Sequence, residues 1–306
     1  LKLKKAILII LCAVLLTSCT FPGLGGDVKK DVVIASGNTT ERQVLAEILK
    51  QMTEHHTDLN VSLINNLGST TLIHTAMLKN EVNVSSGMYT GTSLTGELAL
   101  EPVKDPKEAL EICKEEYLSR YNRIWYDSYG FENTYAFMVS RKFAEENNIK
   151  TVSDLEALKD SIKVGVDISW MDRKGDGYED FKKIYNFSFN KIYPMEIGLV
   201  YSAINNGEMD VVLGYSTDGR INSYDLVLLE DDKMLFPAYD CSPVASKTLI
   251  ENHPELDKIF KVLSNKISSE DMQKMNREGD EDLVEPKIIA KEFLEEKNYF
   301  ENEVNL

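Results

Sequence analysis

Apolar residues along this chain fall into short blocks that alternate between two periods. Val32-Val33-Ile34-Ala35 is an unbroken run of strand length, and a polar loop from Ser36 to Thr40 follows it. Val44, Leu45, Ile48, Leu49 and Met52 then recur at the spacing of one buried helix face. Thr40-Glu41-Arg42-Gln43 matches a capping box and marks the expected helix start. The alternation repeats: Val61–Ile64 reads as a strand, Gly68-Ser69-Thr70 as a break, and Leu72, Ala76 and Met77 as a helix face. Asn83-Val84-Ser85 leads into the Gly- and Thr-rich stretch SSGMYTGTSLTGEL. Farther on, 134–140, 163–167 and 210–215 have strand character, and Ser153-Asp154 caps a helix. Residues 196–206 read as a helix with Gly207 at its natural stop. Strands alternating with helices predict an α/β fold with largely parallel sheets, covered on both faces. Residues of a cleft are then expected at the carboxyl ends of strands.

The amino terminus departs from this pattern. Lys2, Lys4 and Lys5 precede an apolar run from Ala6 to Leu16, which ends in Leu16-Thr17-Ser18-Cys19. Basic residues, a short apolar core and small residues at its end mark a secretory signal over residues 1–18. The run falls short of the roughly 20 apolar residues that a membrane-spanning helix needs. Its end is similar to the lipobox of bacterial lipoproteins, which makes Cys19 the expected lipidation site; an ordinary signal with an incidental cysteine is the plainer alternative. Residues 19–30, rich in Gly and Pro, read as a tether.

Charge narrows the classes of partner. Asp and Glu number 50 against 34 Lys and Arg, a formal net charge of −16, and signal cleavage would remove lysines and no acids. Such a surface repels nucleic acid and anionic lipid, so no nucleic-acid partner is expected. The cysteines divide by position: Cys12 lies in the signal, Cys19 at the anchor, and Cys113 and Cys241 in the body. That last pair is open to two readings, a disulfide or two buried thiols.

Catalytic patterns are absent from the sequence. The histidines, His55, His56, His74 and His253, are expected on the surface, and no GxSxG, HExxH or Walker A spacing occurs. Asp172 to Gly177 has the outline of a calcium loop, but Lys174 and Lys183 stand where oxygen ligands are needed. The acid pairs Glu115-Glu116 and Asp231-Asp232 read as solvated faces. Neither metal nor cofactor is expected, and binding is favoured over catalysis.

Four tyrosines stand apart. Tyr89 in GMYTGT, Tyr135 in ENTYAF, Tyr215 in LGYSTDGR and Tyr239 in FPAYDCSP fall in loops or at strand ends rather than on helical faces. Taken singly, each fits a core aromatic with a satisfied hydroxyl. The stretches around them, WYDSYGFENTYAF, RKGDGYEDF, YPMEIGLVYSAINNGEMDVVLGYSTDGRI and FPAYDCSP, closely resemble the OpuC-type binding proteins of osmoprotectant ABC transporters. The resemblance runs over about residues 31–299.

This resemblance implies a two-lobed, type II-like periplasmic-binding-protein fold. Residues 31–130 plus 236–306 would form one lobe and 131–235 the other. It implies an aromatic cage, with Tyr89 and Tyr239 on one side and Tyr135 and Tyr215 on the other, around glycine betaine, carnitine or choline. Thr92, Asn133 and Thr134, beside the cage tyrosines, become candidate hydrogen-bonding groups. The implied partners are an ABC permease and its ATPase subunit, with the chain itself a monomer. Aromatics suit such a ligand because a trimethylammonium has a diffuse charge and no N–H. A carboxylate touching it gains only Coulomb attraction against its own desolvation, whereas neutral ring faces attract the cation.

Two positions modify the expectation. Gly37 stands where some relatives carry a glutamine, and Thr92 is neutral where an acid would disfavour ligands bearing a carboxylate. Acceptance of zwitterions is therefore expected. The rival within the class is an amino-acid-binding protein with Arg220 as its carboxylate clamp. An enzyme or a surface-interaction lipoprotein on the same scaffold is the rival outside it.

Overall fold

In the computed structural model the described residues are 31–173 and 175–300; the signal 1–18, Cys19 and the tether 19–30 lie outside them, as do 301–306. The apolar runs become two five-stranded sheets. The first contains β1 (Val32–Ala35), β2 (Val61–Ile64), β3 (Val84–Tyr89), β4 (Arg123–Trp125) and, from much later in the chain, β10 (Cys241–Ser246), in the order β2-β1-β3-β10-β4. The second contains β5 (Tyr135–Ser140), β6 (Lys163–Asp167), β7 (Lys191–Met195), β8 (Val211–Tyr215) and β9 (Leu226–Leu228), in the order β7-β6-β8-β5-β9.

The sheets are mixed rather than largely parallel, and mixed in the same way. β1 pairs in parallel with β2 and β3, and β6 with β7 and β8. One strand in each runs against its two neighbours, β10 in the first and β5 in the second. These are the strands entered straight from the two segments that cross between sheets. The crossings lie side by side: Glu132 and Asp240 form an antiparallel bridge, Asn133 N donates to Tyr239 O at 3.1 Å, and Cys241 N donates to Phe131 O at 3.3 Å.

Both faces of each sheet are covered, which explains why the strands read as unbroken apolar runs. In the second sheet Phe137 packs with Trp170 and Phe181, while its neighbour Met138 packs on the opposite face with Val200 and Tyr201. In the first, Ile34 faces Val44, Ile48 and Phe260, and Ala35 faces Ile73, Met88 and Leu94. Among the described residues no helix is long and apolar enough to cross a membrane.

Several expectations need correcting. The helix Thr40–His56 is capped by Thr39, whose side chain accepts from Arg42 N at 3.4 Å; Gln43 completes no capping box and donates to Asn66 Oδ1 at 3.0 Å. The helix Thr70–Leu78 turns Ile73, Ala76 and Met77 inward but leaves Leu72 exposed. Ser153-Asp154 opens only a 3-10 turn, Ser153–Leu158, because the Asp154 carboxylate is spent on Lys150 N (2.9 Å) and Thr151 N (2.8 Å) behind it.

His74 is buried, edge-on to Tyr117 and Tyr121, and His56 is half-buried against Tyr299 O at 3.1 Å. Neither is the surface residue expected. Asp231 is no solvated acid either: it accepts from Tyr185 Oη at 2.5 Å and from Phe236 N at 2.8 Å. Cys113 and Cys241 are both free and buried, which removes the disulfide reading; burial pushes the Cys113 thiol up to about 12.

Candidate functional site

A strand that runs backwards brings its first residue level with the last residue of its antiparallel neighbour. Tyr135, first in β5, pairs with Tyr215, last in β8; Cys241, first in β10, pairs with Tyr89, last in β3, so that Tyr239, two residues before Cys241, enters the same corner. Tyr89 and Tyr215 thus stand at carboxyl ends of strands as expected. Tyr135 and Tyr239 arrive from the opposite chain direction. All four line one cleft of about 390 Å³ between the sheets, and Thr92, Asn133 and Thr134 line it with them.

The rings are held from behind. Tyr89 donates its hydroxyl to the Glu41 carboxylate, and Tyr135 donates to Asp167 Oδ2 at 2.5 Å. The Tyr135 and Tyr215 rings lie 5.1 Å apart at 31°, and Tyr215, 40% exposed, is the most open of the four. Tyr239 rests on the backbone of Gly91, where a Cβ would stand 2.8 Å from its ring and 2.6 Å from Ala238 O. Only glycine permits that approach. Burial, reinforced by the neighbouring acids Glu41 and Asp167, raises the Tyr89 and Tyr135 hydroxyls above their ordinary range, and burial raises Tyr239. These rings are therefore neutral phenols at physiological pH.

The polar part of the cleft contains groups that sequence reasoning missed: Thr39, Arg42, Ser69, Thr70 and Arg173. Arg42 donates to Thr70 Oγ1 at 2.7 Å and lies 4.9 Å from the centre of the Tyr89 ring. None of the ion pairs among the described residues includes it. Gly37 makes room for it, since a Cβ at that position would overlap Arg42 Cδ. Arg173 is committed, with a fork onto Asp176 at 2.9 and 2.8 Å, and it reaches Tyr239 Oη at 3.2 Å and the Tyr135 ring at 5.2 Å. It comes from the very segment read as a failed calcium loop. Thr134 Oγ1 is buried without a hydrogen-bond partner, whereas Asn133 Nδ2 already donates to Glu41 at 3.1 Å.

Arg220 does not line this cleft. It forms a fork onto Asp218 at 2.9 and 2.8 Å, donates to Gly198 O at 2.8 Å and covers the Tyr201 ring at 4.2 Å, so its charge and donors are used in the lobe itself. The cleft as a whole offers ring faces to a cation and arginine to an anion, with no acid on its wall among the described residues.

Comparison with known proteins agrees with this geometry. The model for the substrate binding domain of ABC-type glycine betaine transport systems matches residues 30–296. The carnitine transport binding protein OpuCC of Listeria monocytogenes is 49% identical over 296 residues, covering 97% of this chain and 96% of that protein. The ergothioneine transport permease/ergothioneine binding protein EgtU of Helicobacter pylori is 31% identical over 271 residues, covering 87% of this chain and 48% of that protein. A crystal structure of a glycine betaine/carnitine/choline ABC transporter superposes with a TM-score of 0.86 at 45% identity, covering 88% of this chain and 99% of the other. Two mirrored sheets, the cleft between them and these likenesses make the chain a member of the family of substrate-binding domains of ABC-type glycine betaine transport systems.

Proposed function

We propose that the cleft captures glycine betaine, carnitine or choline by closure of the two lobes and hands the ligand to a membrane permease driven by an ATPase. The observation that carries this reading is the meeting of Tyr89, Tyr135, Tyr215 and Tyr239 on a wall without acids. Each ring contributes about 0.5–2 kcal/mol to a cation, so four supply roughly 2–8. Micromolar binding needs about 8 kcal/mol. The rings thus carry much of the affinity and leave a share for the ligand's other end, where Arg42 takes a carboxylate and Thr134 a hydroxyl or carboxylate oxygen. Thr92 and Asn133 border the same space.

Rings from both sides bind fully only when the lobes are together, which gives the closed form its preference for ligand. In this reading residues 31–130 with 236–306 move against 131–235. The signal 1–18 directs export and is removed, the lipid on Cys19 and the tether 19–30 hold a monomer at the outer face of the cytoplasmic membrane, and it carries its ligand without cofactor or catalysis.

Tyrosine fluorescence titrated with glycine betaine, carnitine, choline, ergothioneine and a panel of amino acids tests the proposal. Saturable changes with the quaternary amines are expected. A response to amino acids alone would overturn it.

A further inference from the structure

Two acids stand behind the cage without lining it. Glu41, in the first turn of the helix Thr40–His56, is 3% exposed, and Asp167, last in β6, is 4% exposed. Burying an ionised carboxylate is costly unless it is paired or fully hydrogen-bonded. Neither acid takes part in an ion pair among the described residues. Glu41 accepts from Tyr89 Oη, from Asn133 Nδ2 at 3.1 Å and from Asn276 Nδ2 at 3.4 Å; Asp167 accepts from Tyr135 Oη at 2.5 Å and from Ser169 N at 3.2 Å. Every one of these partners can donate, which is the environment of a carboxylate that only accepts.

The two acids come from different lobes and from unlike elements, a helix start and a strand end, yet each holds one cage tyrosine. A second observation separates those two rings from the others. Arg42 lies over Tyr89 at 4.9 Å and Arg173 over Tyr135 at 5.2 Å, whereas no cation lies over Tyr215 or Tyr239 among the described residues. Within the cage, the carboxylate-bound rings are the two with a guanidinium over their faces.

We propose that Glu41 and Asp167 are positioning residues that make the cage select for positive charge, each polarising the phenol it accepts from and setting a negative charge behind the ring. Hydrogen bonds to a charged acceptor polarise the donor, and a more electron-rich ring holds a cation more strongly. The arrangement also answers the objection to a carboxylate in the cage itself. An acid touching trimethylammonium would shed water for no hydrogen bond in return, but these two are desolvated and satisfied on folding. Their field is in place before the ligand arrives, at no further cost on binding.

The inference rests on the quaternary-ammonium reading above, and its test separates the two. Two of the proposed ligands have a neutral-carbon isostere in which tert-butyl replaces trimethylammonium: 3,3-dimethyl-1-butanol for choline and 3,3-dimethylbutanoate for glycine betaine. Calorimetry on the whole chain would measure both members of each pair for the wild type, Glu41→Gln and Asp167→Asn. Each variant is expected to lower the cation-to-isostere affinity ratio by about tenfold, roughly one ring's share of the cation binding, with isostere affinity within about twofold of wild type. Unchanged ratios would overturn the inference while leaving the function standing. Wild type ignoring every quaternary amine would overturn both. Should an acid variant fail to fold, Tyr89→Phe and Tyr135→Phe remove the same hydrogen bonds from the other side while leaving the carboxylates in place, and a smaller fall in the same direction is expected; no fall would overturn the polarisation.

Discussion

Tyr135 and Tyr215 are register partners on antiparallel strands, and their rings stack at 5.1 Å within one lobe. Two faces of the proposed cage are therefore built by a single strand pair, independently of lobe closure. Replacing either with Ala removes one face and unsettles the other. Affinity for glycine betaine should fall at least tenfold, about 1.4 kcal/mol, as read by calorimetry. Unaltered affinity would detach these rings from the site.

In the proposed site Arg42 sets apart ligands by their far end. A charge-assisted hydrogen bond is worth about 1.5–3 kcal/mol, so Arg42→Gln should weaken glycine betaine and carnitine by roughly tenfold or more and leave choline nearly untouched. Gly37→Ala should imitate it, because the new Cβ overlaps Arg42 Cδ and displaces the guanidinium. Equal losses for choline and the zwitterions would assign Arg42 a general role instead.

Gly91 ties backbone to cage. A methyl group there meets Ala238 O at 2.6 Å and the Tyr239 ring at 2.8 Å, and overpacking of this kind costs about 1–3 kcal/mol. Gly91→Ala should lower the melting temperature and weaken every ligand together. A variant of unchanged stability and affinity would show that the 238–239 segment gives way freely.

Burial holds His74 below its ordinary 6.5, helped by the charge of Arg123, and burial holds His56 low as well. The unfolded chain then binds more protons than the folded one just below that value, so stability is full above it and is lost as pH falls. Melting temperature should decline from pH 7 toward pH 5, and His74→Gln should flatten that decline. Identical slopes for both proteins would exclude His74 as the source.

Much of this was legible from residue order, and the failures have physical causes. The tyrosines stood out by falling in loops and at strand ends, but each alone fits a core aromatic, and it was the family resemblance that gathered them into one cage. Strand direction did not stand out, since an apolar run has no polarity, and β5 and β10 gain theirs from where the chain crosses. Arg42 was hidden in a helix whose periodicity explained its neighbours, although Gly37 five residues earlier was the trace of its side chain. Arg173 lay in a segment tested as a metal loop and matched to the family as a stretch, and neither reading gave the residue itself a role. His74 stands next to Ile73 and near Ala76 and Met77 on an inward helix face, a neighbourhood that outweighs its polarity. Glu41 and Asp167 carry no local signal, because what matters about each is a tyrosine 48 and 32 residues away.

The two crossings are bonded to one another through Asn133 and Tyr239 and through Cys241 and Phe131. In the proposed closure they move as one ribbon, and the lobes swing about a single axis. Tyr135 begins where that ribbon ends and Tyr239 is part of it, so the proposed ligand site borders the pivot itself. Occupancy should then be audible in the pivot: deuterium uptake at the amides of residues 131–135 and 239–241 slows as ligand is added, in step with the fraction bound.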